Sequence, residues 1–275
     1  MVGEMMYPQQ IRLGSLDCFS IDPSLQSTPA DVVSDTSEGG GAVPSAIVVL
    51  CHGYGAPGSD MVGVAQSWVQ LLGETAKQLW FLCPIAPLSL AEFGMPTGRA
   101  WWPLNMARMM EAVQAQRFEQ LHRETPPGLD QARNQLSSLI HAAQEQLGKR
   151  LGKPAAKIPL AIGGFSQGAM LTMDTALRGD IPAPDQLFQF SGTVVCQPQW
   201  AAATGRLEQT RVFQAHGTVD PILPFSSAER LRDLLKAAEV DLEFHSFYGP
   251  HTIDEYSVET TAMMLKQLPS AKDQA

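Results

Sequence analysis

The chain has 275 residues, of which 44% are hydrophobic and 17% charged, a composition typical of a globular protein with a large apolar core. Its net charge of −9 argues against a nucleic-acid partner, since phosphate backbones are bound by lysine and arginine patches. No apolar stretch approaches the roughly 18 residues of a transmembrane helix, and the first residues lack the pattern of a secretory signal, so we expect a cytoplasmic protein without a transmembrane segment.

Predicted strands alternate with predicted helices along the chain. The strands are residues 11–21, 46–51, 79–83, 158–163, 186–190, 211–215 and 242–247. Several are continuous apolar runs, such as AIVVLC at 46–51, which is typical of strands buried on both faces. Apolar residues recur at helical spacing over 131–147 and 231–238, and a last helix is predicted over about 254–268. This order predicts an α/β fold with a mostly parallel central sheet and helices on both faces.

Two segments fall outside this alternation. Residues 23–44 are rich in serine, threonine, proline and glycine, which predicts a flexible surface loop. Residues 86–128 form a long stretch without a clear strand, and such stretches often cover a binding site as a lid-like insertion. With no internal repeat, the sequence predicts a single domain over residues 1–275.

The cysteines and histidines do not form metal-binding patterns. The four cysteines are widely spaced and lack a CxxC pair, which favours buried, reduced thiols over disulfides or a zinc site. The six histidines lack HExxH spacing. We therefore expect neither a metal nor another cofactor. The sequence carries no indication of the oligomeric state.

A candidate nucleophile lies in Gly164-Phe165-Ser166-Gln167-Gly168, between a buried strand and a helix. The pattern GxSxG at a strand-to-helix turn is the placement of a nucleophile elbow. Its glycines allow the backbone to pass close to the serine, and the helix N-terminus favours developing negative charge beside Ser166. The alternative is a glycine-rich turn with an idle serine.

Ser166 needs a base to become a nucleophile, and in this kind of fold the acid and base follow the serine in the chain. Asp220 follows strand 211–215 and His251 follows strand 242–247, so both are expected at the same edge of the sheet. The alternative for this couple is a solvated surface pair. His216 precedes the acid and is expected to brace its loop.

Three further residues are weaker candidates for the acid or the base. Asp174 lies on the helix behind the serine, Asp185 precedes its strand, and His245 lies inside a strand.

The loop after strand 46–51, His52-Gly53-Tyr54-Gly55-Ala56-Pro57-Gly58, spells GxGxxG. A dinucleotide site would need an acidic residue at the end of the next strand, where WFLCPIAPLS has none, and Pro57 lacks an N–H for a pyrophosphate. An oxyanion hole fits better, with backbone N–H groups of Tyr54 and Gln167 aimed at the reacting carbonyl.

An apolar acyl pocket is predicted within the segment 86–128. Its candidate lining residues are Phe93, Trp101, Trp102 and Met106, because substrate pockets are mostly apolar. The alternative is a hydrophobic patch that seals the segment onto the sheet.

These motifs together resemble the phospholipase/carboxylesterase family of α/β-hydrolases, which includes acyl-protein thioesterases and carboxylesterases. The matching stretches run in order from residue 46 to residue 252: VVLCHGYGAPG, CPIAP, GRAWW, AIGGFSQGAM, HGTVDPILP and GPHT. The chain departs from the family where Ala56 replaces a common aspartate and where Trp101-Trp102-Pro103 replaces a Trp-Phe/Tyr-Asp motif, and residues 105–128 are longer than usual.

The resemblance implies hydrolysis of carboxylic esters or thioesters without a cofactor. It assigns Ser166 as nucleophile, His251 as base and Asp220 as acid, with the N–H groups of Tyr54 and Gln167 in the oxyanion hole. The partner would then be a small-molecule or acyl ester or thioester substrate. The alternatives are a hydrolase-fold protein that binds without turnover, and a serine hydrolase of another class, a peptidase or a lactonase.

Overall fold

The computed structural model describes residues 7–25 and 43–268, and its main feature is an eight-stranded sheet. The strands in chain order are β1 (Gln9–Leu13), β2 (Leu16–Ile21), β3 (Ala46–Cys51), β4 (Leu79–Pro84), β5 (Leu88–Ser89), β6 (Arg99–Ala100), β7 (Leu160–Phe165), β8 (Gln186–Phe190), β9 (Arg211–Gly217) and β10 (Leu242–Phe247). The eight-stranded sheet has the order β1-β2-β4-β3-β7-β8-β9-β10, and β5 pairs with β6 in a separate two-stranded hairpin. Across this sheet, each pair of neighbouring strands in the series β4-β3-β7-β8-β9-β10 is parallel. The prediction of a mostly parallel α/β fold is therefore confirmed.

The predicted single strand over residues 11–21 is wrong, because the chain reverses within it. Strands β1 and β2 pair antiparallel, with Leu13 opposite Leu16. The turn between them contains Gly14 at a φ of 56°, a backbone conformation that glycine adopts without steric cost. The two strands therefore form a hairpin at one edge of the sheet.

Helices cover both faces of the sheet. They are α1 (Asp60–Leu72), α2 (Met106–Gln114), α3 (Leu129–Leu151), α4 (Gln167–Arg178), α5 (Gln197–Ala203), α6 (Phe225–Ala237) and α7 (Glu255–Leu265). Residues of β3 alternate between two apolar clusters: Ile47 and Val49 pack with α3, α4, α5 and α6, whereas Val48 and Leu50 pack with α1 and α7. This alternation explains why the strand sequence is apolar at every position.

Residues 86–128, predicted as a lid-like insertion and called the cover from here on, contain more regular structure than expected. It includes the short β5–β6 hairpin, the helix α2, which has no buried residue, and a 3-10 helix over Phe118–Arg123. Most of the loop predicted at 23–44 lies outside the described residues. Within the described ranges, no helix is long and apolar enough to cross a membrane.

The cover is joined to the body of the protein through His122, which is buried. Its Nε2 lies 3.0 Å from the hydroxyl of Ser227 on α6 and 3.3 Å from that of Thr193. Burial, together with the nearby charge of Arg230, lowers the pKa of His122 from 6.5 to about 4. His122 is therefore neutral in the folded protein at neutral pH.

Helix α4 passes very close to the end of β3. A Cβ on Gly168 would lie 2.2 Å from the backbone oxygen of Cys51 and 2.6 Å from that of His52. Since backbone atoms cannot yield as a flexible side chain can, only glycine allows this approach. The contact joins the loop after β3 to the first turn of α4.

We predict that Gly168→Ala lowers the free energy of unfolding by about 1–3 kcal/mol or more, because the added methyl group overlaps backbone. Thermal and denaturant unfolding measure the change. The matched control is Gly63→Ala on α1, where a Cβ meets no atom within 4 Å and should stabilise the helix by up to about 1 kcal/mol. Equal stability of the two variants would contradict the close contact.

A second prediction concerns pH. The pKa of His122 is lower in the folded than in the unfolded chain, so the unfolded chain binds the proton first as the pH falls. The contribution of His122 to stability should therefore decline as the pH falls below about 6.5 and level off near pH 4, a loss of up to about 3 kcal/mol. Denaturant unfolding of His122→Gln across this range should show a correspondingly flatter decline. His141→Gln, at a histidine of α3 whose side chain is 45% exposed, should keep the wild-type slope, and a His122→Gln slope equal to wild type would refute the assignment.

Candidate active site

Ser166 occupies a strained turn between β7 and α4. Its φ of 54° and ψ of −117° are rare for any residue other than glycine. The backbone N–H of Ser166 donates to the carbonyl of Phe190 at 2.9 Å, which fixes the turn to the end of β8. The side chain is half-buried, and its hydroxyl has no hydrogen-bond partner among the described residues. This backbone geometry is that of a nucleophile elbow.

Asp220 follows β9 and is buried, with four hydrogen-bond donors around its carboxylate. The N–H groups of Ile222 and Leu223 donate to Oδ1 at 2.8 and 2.9 Å. Oδ2 lies 2.6 Å from Nδ1 of His251 and 3.2 Å from Nε2 of His216. Burial raises the pKa of Asp220, but the hydrogen bonds from His216 and His251 outweigh it and hold the pKa well below its usual value. The carboxylate is therefore ionised at neutral pH.

His251 lies in the loop between β10 and α7, at the same sheet edge as Ser166. Its ring centre is 4.7 Å from that of Phe165, the residue before the serine. Within the described part of the chain, no hydrogen bond joins Ser166 Oγ to His251. The structure thus pairs the predicted base with the predicted acid directly, and brings the base next to the serine through Phe165.

His216 braces the loop of Asp220, as expected from its place in the sequence. It is fully buried, and its Nε2 also lies 2.9 Å from the carbonyl oxygen of Leu223. A single ring N–H thereby contacts both ends of the turn formed by residues 220–223.

The three weaker candidates have partners outside this site. Asp174 binds Arg133 and Arg178, whereas Asp185 accepts a hydrogen bond from the backbone of β7. His245 pairs with Asp254 at 2.8 Å. None of the three contacts Asp220 or His251 through a hydrogen bond in the part of the chain that the structure describes.

The loop after β3 lies directly beside the serine. The position of a Cβ on Gly53 would be 3.3 Å from the Cβ of Ser166. Over the described ranges, the N–H groups of Tyr54 and Gln167 donate to no protein acceptor, and Gln167 begins α4, where backbone donors are free. Two unpaired N–H groups are thus available near Ser166, as an oxyanion hole requires.

A buried network that the sequence did not predict supports this loop. Trp101 donates its indole N–H to the carbonyl of His52 at 2.8 Å, and its ring lies 5.3 Å from the His52 ring. The side chain of Gln167 bonds the backbone of Trp101 and Trp102, each at 2.9 Å. Ala86 donates its N–H to Nε2 of His52 at 3.0 Å, so this nitrogen is unprotonated. Burial lowers the pKa of His52, in agreement with a neutral ring.

A cavity of about 770 Å³ lies beside the site. Phe93, Trp102 and Met106 line it, as predicted. The prediction that Trp101 also lines this cavity is wrong. Trp101 is buried against the loop after β3, where its indole N–H donates to the carbonyl of His52, and it does not belong to the cavity wall. Tyr54 is part of both the loop after β3 and this wall, so the cavity borders the candidate reaction centre.

The cavity is largely apolar, and its charged lining residues neutralise each other. The two terminal nitrogens of the Arg108 guanidinium, Nη1 and Nη2, donate to the two carboxylate oxygens of Glu124 at 2.8 and 2.5 Å. The remaining wall includes Leu104, Met109, Phe118 and Leu121. The interior therefore suits a neutral, apolar group.

Comparisons with known proteins agree with this geometry. The model of the phospholipase/carboxylesterase family matches residues 38–268. Acyl-protein thioesterase 1 of Mycosarcoma maydis is 25% identical over 242 residues, covering 84% of this chain and 95% of the relative. Acyl-protein thioesterase 1 of Eremothecium gossypii is 30% identical over 187 residues, covering 66% and 68%. The crystal structure of esterase PE8 shares the fold with a TM-score of 0.62 at 24% identity, covering 82% of this chain and 94% of that one.

Proposed function

The chain belongs to the phospholipase/carboxylesterase family and is a hydrolase of the esterase and thioesterase type, and from this premise we propose that it cleaves acyl esters or thioesters through an acyl-enzyme on Ser166. The observation that carries the proposal is the 2.6 Å hydrogen bond between His251 and Asp220, at the sheet edge where Ser166 occupies its strained turn. In this proposal Ser166 is the nucleophile, His251 the general base and Asp220 the residue that orients the base.

The tautomer of His251 supports its role as base. Because Nδ1 carries the proton that is donated to the ionised Asp220, Nε2 of the neutral ring holds a lone pair. Nε2 can then take the proton of Ser166 as Oγ attacks the carbonyl carbon. The hydrogen bond from a serine nucleophile to such a base is often long until a substrate is bound.

The first half of the reaction forms the acyl-enzyme. Attack by Ser166 Oγ gives a tetrahedral oxyanion, which the N–H groups of Tyr54 and Gln167 stabilise, each by about 3–4 kcal/mol in the transition state. The protonated His251 then donates its proton to the leaving alcohol or thiol as the bond to the leaving group breaks. Asp220 stabilises the positive ring during this step.

In the second half, water replaces the leaving group. His251 removes a proton from the water as its oxygen attacks the acyl carbon, and the same two N–H groups hold the second oxyanion. The proton returns to Ser166 Oγ as the ester bond to the enzyme breaks, which releases a carboxylic acid. The proposed reaction needs no cofactor.

The apolar cavity is the proposed site for the acyl group. Its volume of about 770 Å³ and its lining of Phe93, Trp102 and Met106 suit a hydrocarbon chain whose carbonyl lies beside Tyr54. The thioesterase relatives favour an acyl thioester as substrate, whereas the family description also includes carboxylic esters.

A cytoplasmic location remains a prediction.

Replacing the nucleophile tests the proposal directly. Ser166→Ala should lose on the order of 10⁶ in kcat towards p-nitrophenyl and thioester substrates, because no other group forms the acyl-enzyme. Asp220→Asn should lose on the order of 10⁴, since an amide disfavours the required tautomer of His251. A fluorophosphonate probe should label wild type but not Ser166→Ala. The control Ser67→Ala on α1 should retain full activity, and persistent turnover by Ser166→Ala would overturn the assignment.

Reducing the cavity tests the acyl site. Met109→Trp adds bulk to the wall, so kcat/KM should fall about 10-fold or more for long-chain p-nitrophenyl esters and little for the acetate. The comparison uses a series of chain lengths with each variant. Met263→Trp places the same change on the exposed surface of α7, where the side chain is 63% exposed, and should leave the profile unchanged. An unchanged profile in Met109→Trp would mean that the acyl chain lies elsewhere.

A further inference from the structure

Hydrogen bonds from two neighbouring segments hold the loop that carries His251. It spans residues 248–254, between β10 and α7. Thr218 and Val219, in the loop of Asp220, donate their N–H groups to the carbonyls of Phe247 and Gly249 at 2.8 and 3.2 Å. The hydroxyl of Ser191, just after β8, donates to the carbonyl of Thr252 at 2.9 Å. These bonds hold the end of β10 and individual points of the loop. None of them links the two ends of the loop to each other.

A second histidine–aspartate pair joins the two ends. His245 is on β10, three residues before the loop, and Asp254 is its last residue. The His245 Nε2 and Asp254 Oδ2 atoms are 2.8 Å apart, and each side chain is 22% exposed. The bond therefore closes the base of the loop that presents His251.

Both members of the pair are held by further contacts. The ring of His245 lies 4.4 Å from that of Tyr256 and 5.8 Å from that of Phe247, between centres. The other carboxylate oxygen of Asp254 accepts hydrogen bonds from the N–H and the hydroxyl of Ser257, so Asp254 is the N-cap of α7. Movement of either residue would thus displace the start of α7 relative to the end of β10.

The reaction depends strongly on where the imidazole lies. A displacement of about 1 Å in a catalytic group can reduce a rate by about 100-fold, because proton transfer requires close alignment. We propose that His245 and Asp254 are positioning residues that fix the loop of His251, and through it the distance from the imidazole to Ser166. This inference rests on the proposed roles of Ser166 and His251.

The test compares two substitutions of His245. His245→Phe keeps an aromatic ring among Tyr256 and Phe247 but removes the donor to Asp254, so we expect kcat to fall about 10-fold or more with KM unchanged. His245→Gln, whose amide can donate to Asp254, should recover most of the lost kcat. The activities are expressed per folded enzyme, with thermal unfolding measured in parallel. His141→Phe, on α3, is the matched control and should behave as wild type.

Asp254→Asn is the second variant if His245→Phe does not fold. It keeps an oxygen for capping α7 but removes the negative charge beside His245, and a several-fold fall in kcat is expected.

The outcomes separate this inference from the proposed function. If wild type is active, Ser166→Ala is inactive and His245→Phe retains the wild-type kcat per folded enzyme, the positioning role is overturned while the function stands. The positioning role is also overturned if KM rises in His245→Phe while kcat is unchanged. If Ser166→Ala retains activity, the proposed function itself fails, whatever the result at position 245.

Discussion

The rest of the site depends on the hydrogen bonds that the buried carboxylate of Asp220 accepts. It is buried, yet four donors from two histidines and two backbone N–H groups hold it in the ionised form. A buried anion is costly unless it is paired in this way. Because one of those donors is His251, the same charge that the fold must stabilise also sets the tautomer and orientation of the proposed base.

The topology explains why residues far apart in sequence meet at this carboxylate. Strands β3, β7, β9 and β10 run parallel, so the loops after them emerge at one edge of the sheet. The loop after β3 supplies one proposed oxyanion donor, and the turn after β7 supplies the nucleophile and the second donor. The loops after β9 and β10 supply the acid and the base. The cover adds an apolar cavity beside them.

The sequence predicted the features that depend on local pattern. Continuous apolar runs located the parallel strands, and their carboxyl ends indicated Ser166, Asp220 and His251. The direction in which side chains of the cover point could not be predicted from such local patterns. Trp101 and Trp102 are adjacent and identical in type, but only contacts formed in three dimensions decide that Trp101 supports His52 while Trp102 lines the cavity. The β1–β2 hairpin was missed because one glycine reverses an otherwise strand-like sequence.

The central claim is that an acyl group becomes covalently attached to Ser166 during turnover. Intact-protein mass spectrometry of samples quenched within the first turnover of an activated acyl ester, followed by peptide mapping, tests it most directly. The account predicts a mass increase equal to that of the added acyl group, located on the peptide that contains Ser166. This acyl-enzyme should accumulate when its hydrolysis by water is slowed. Rapid hydrolysis with no such adduct, or with the acyl group on another residue, would contradict the account.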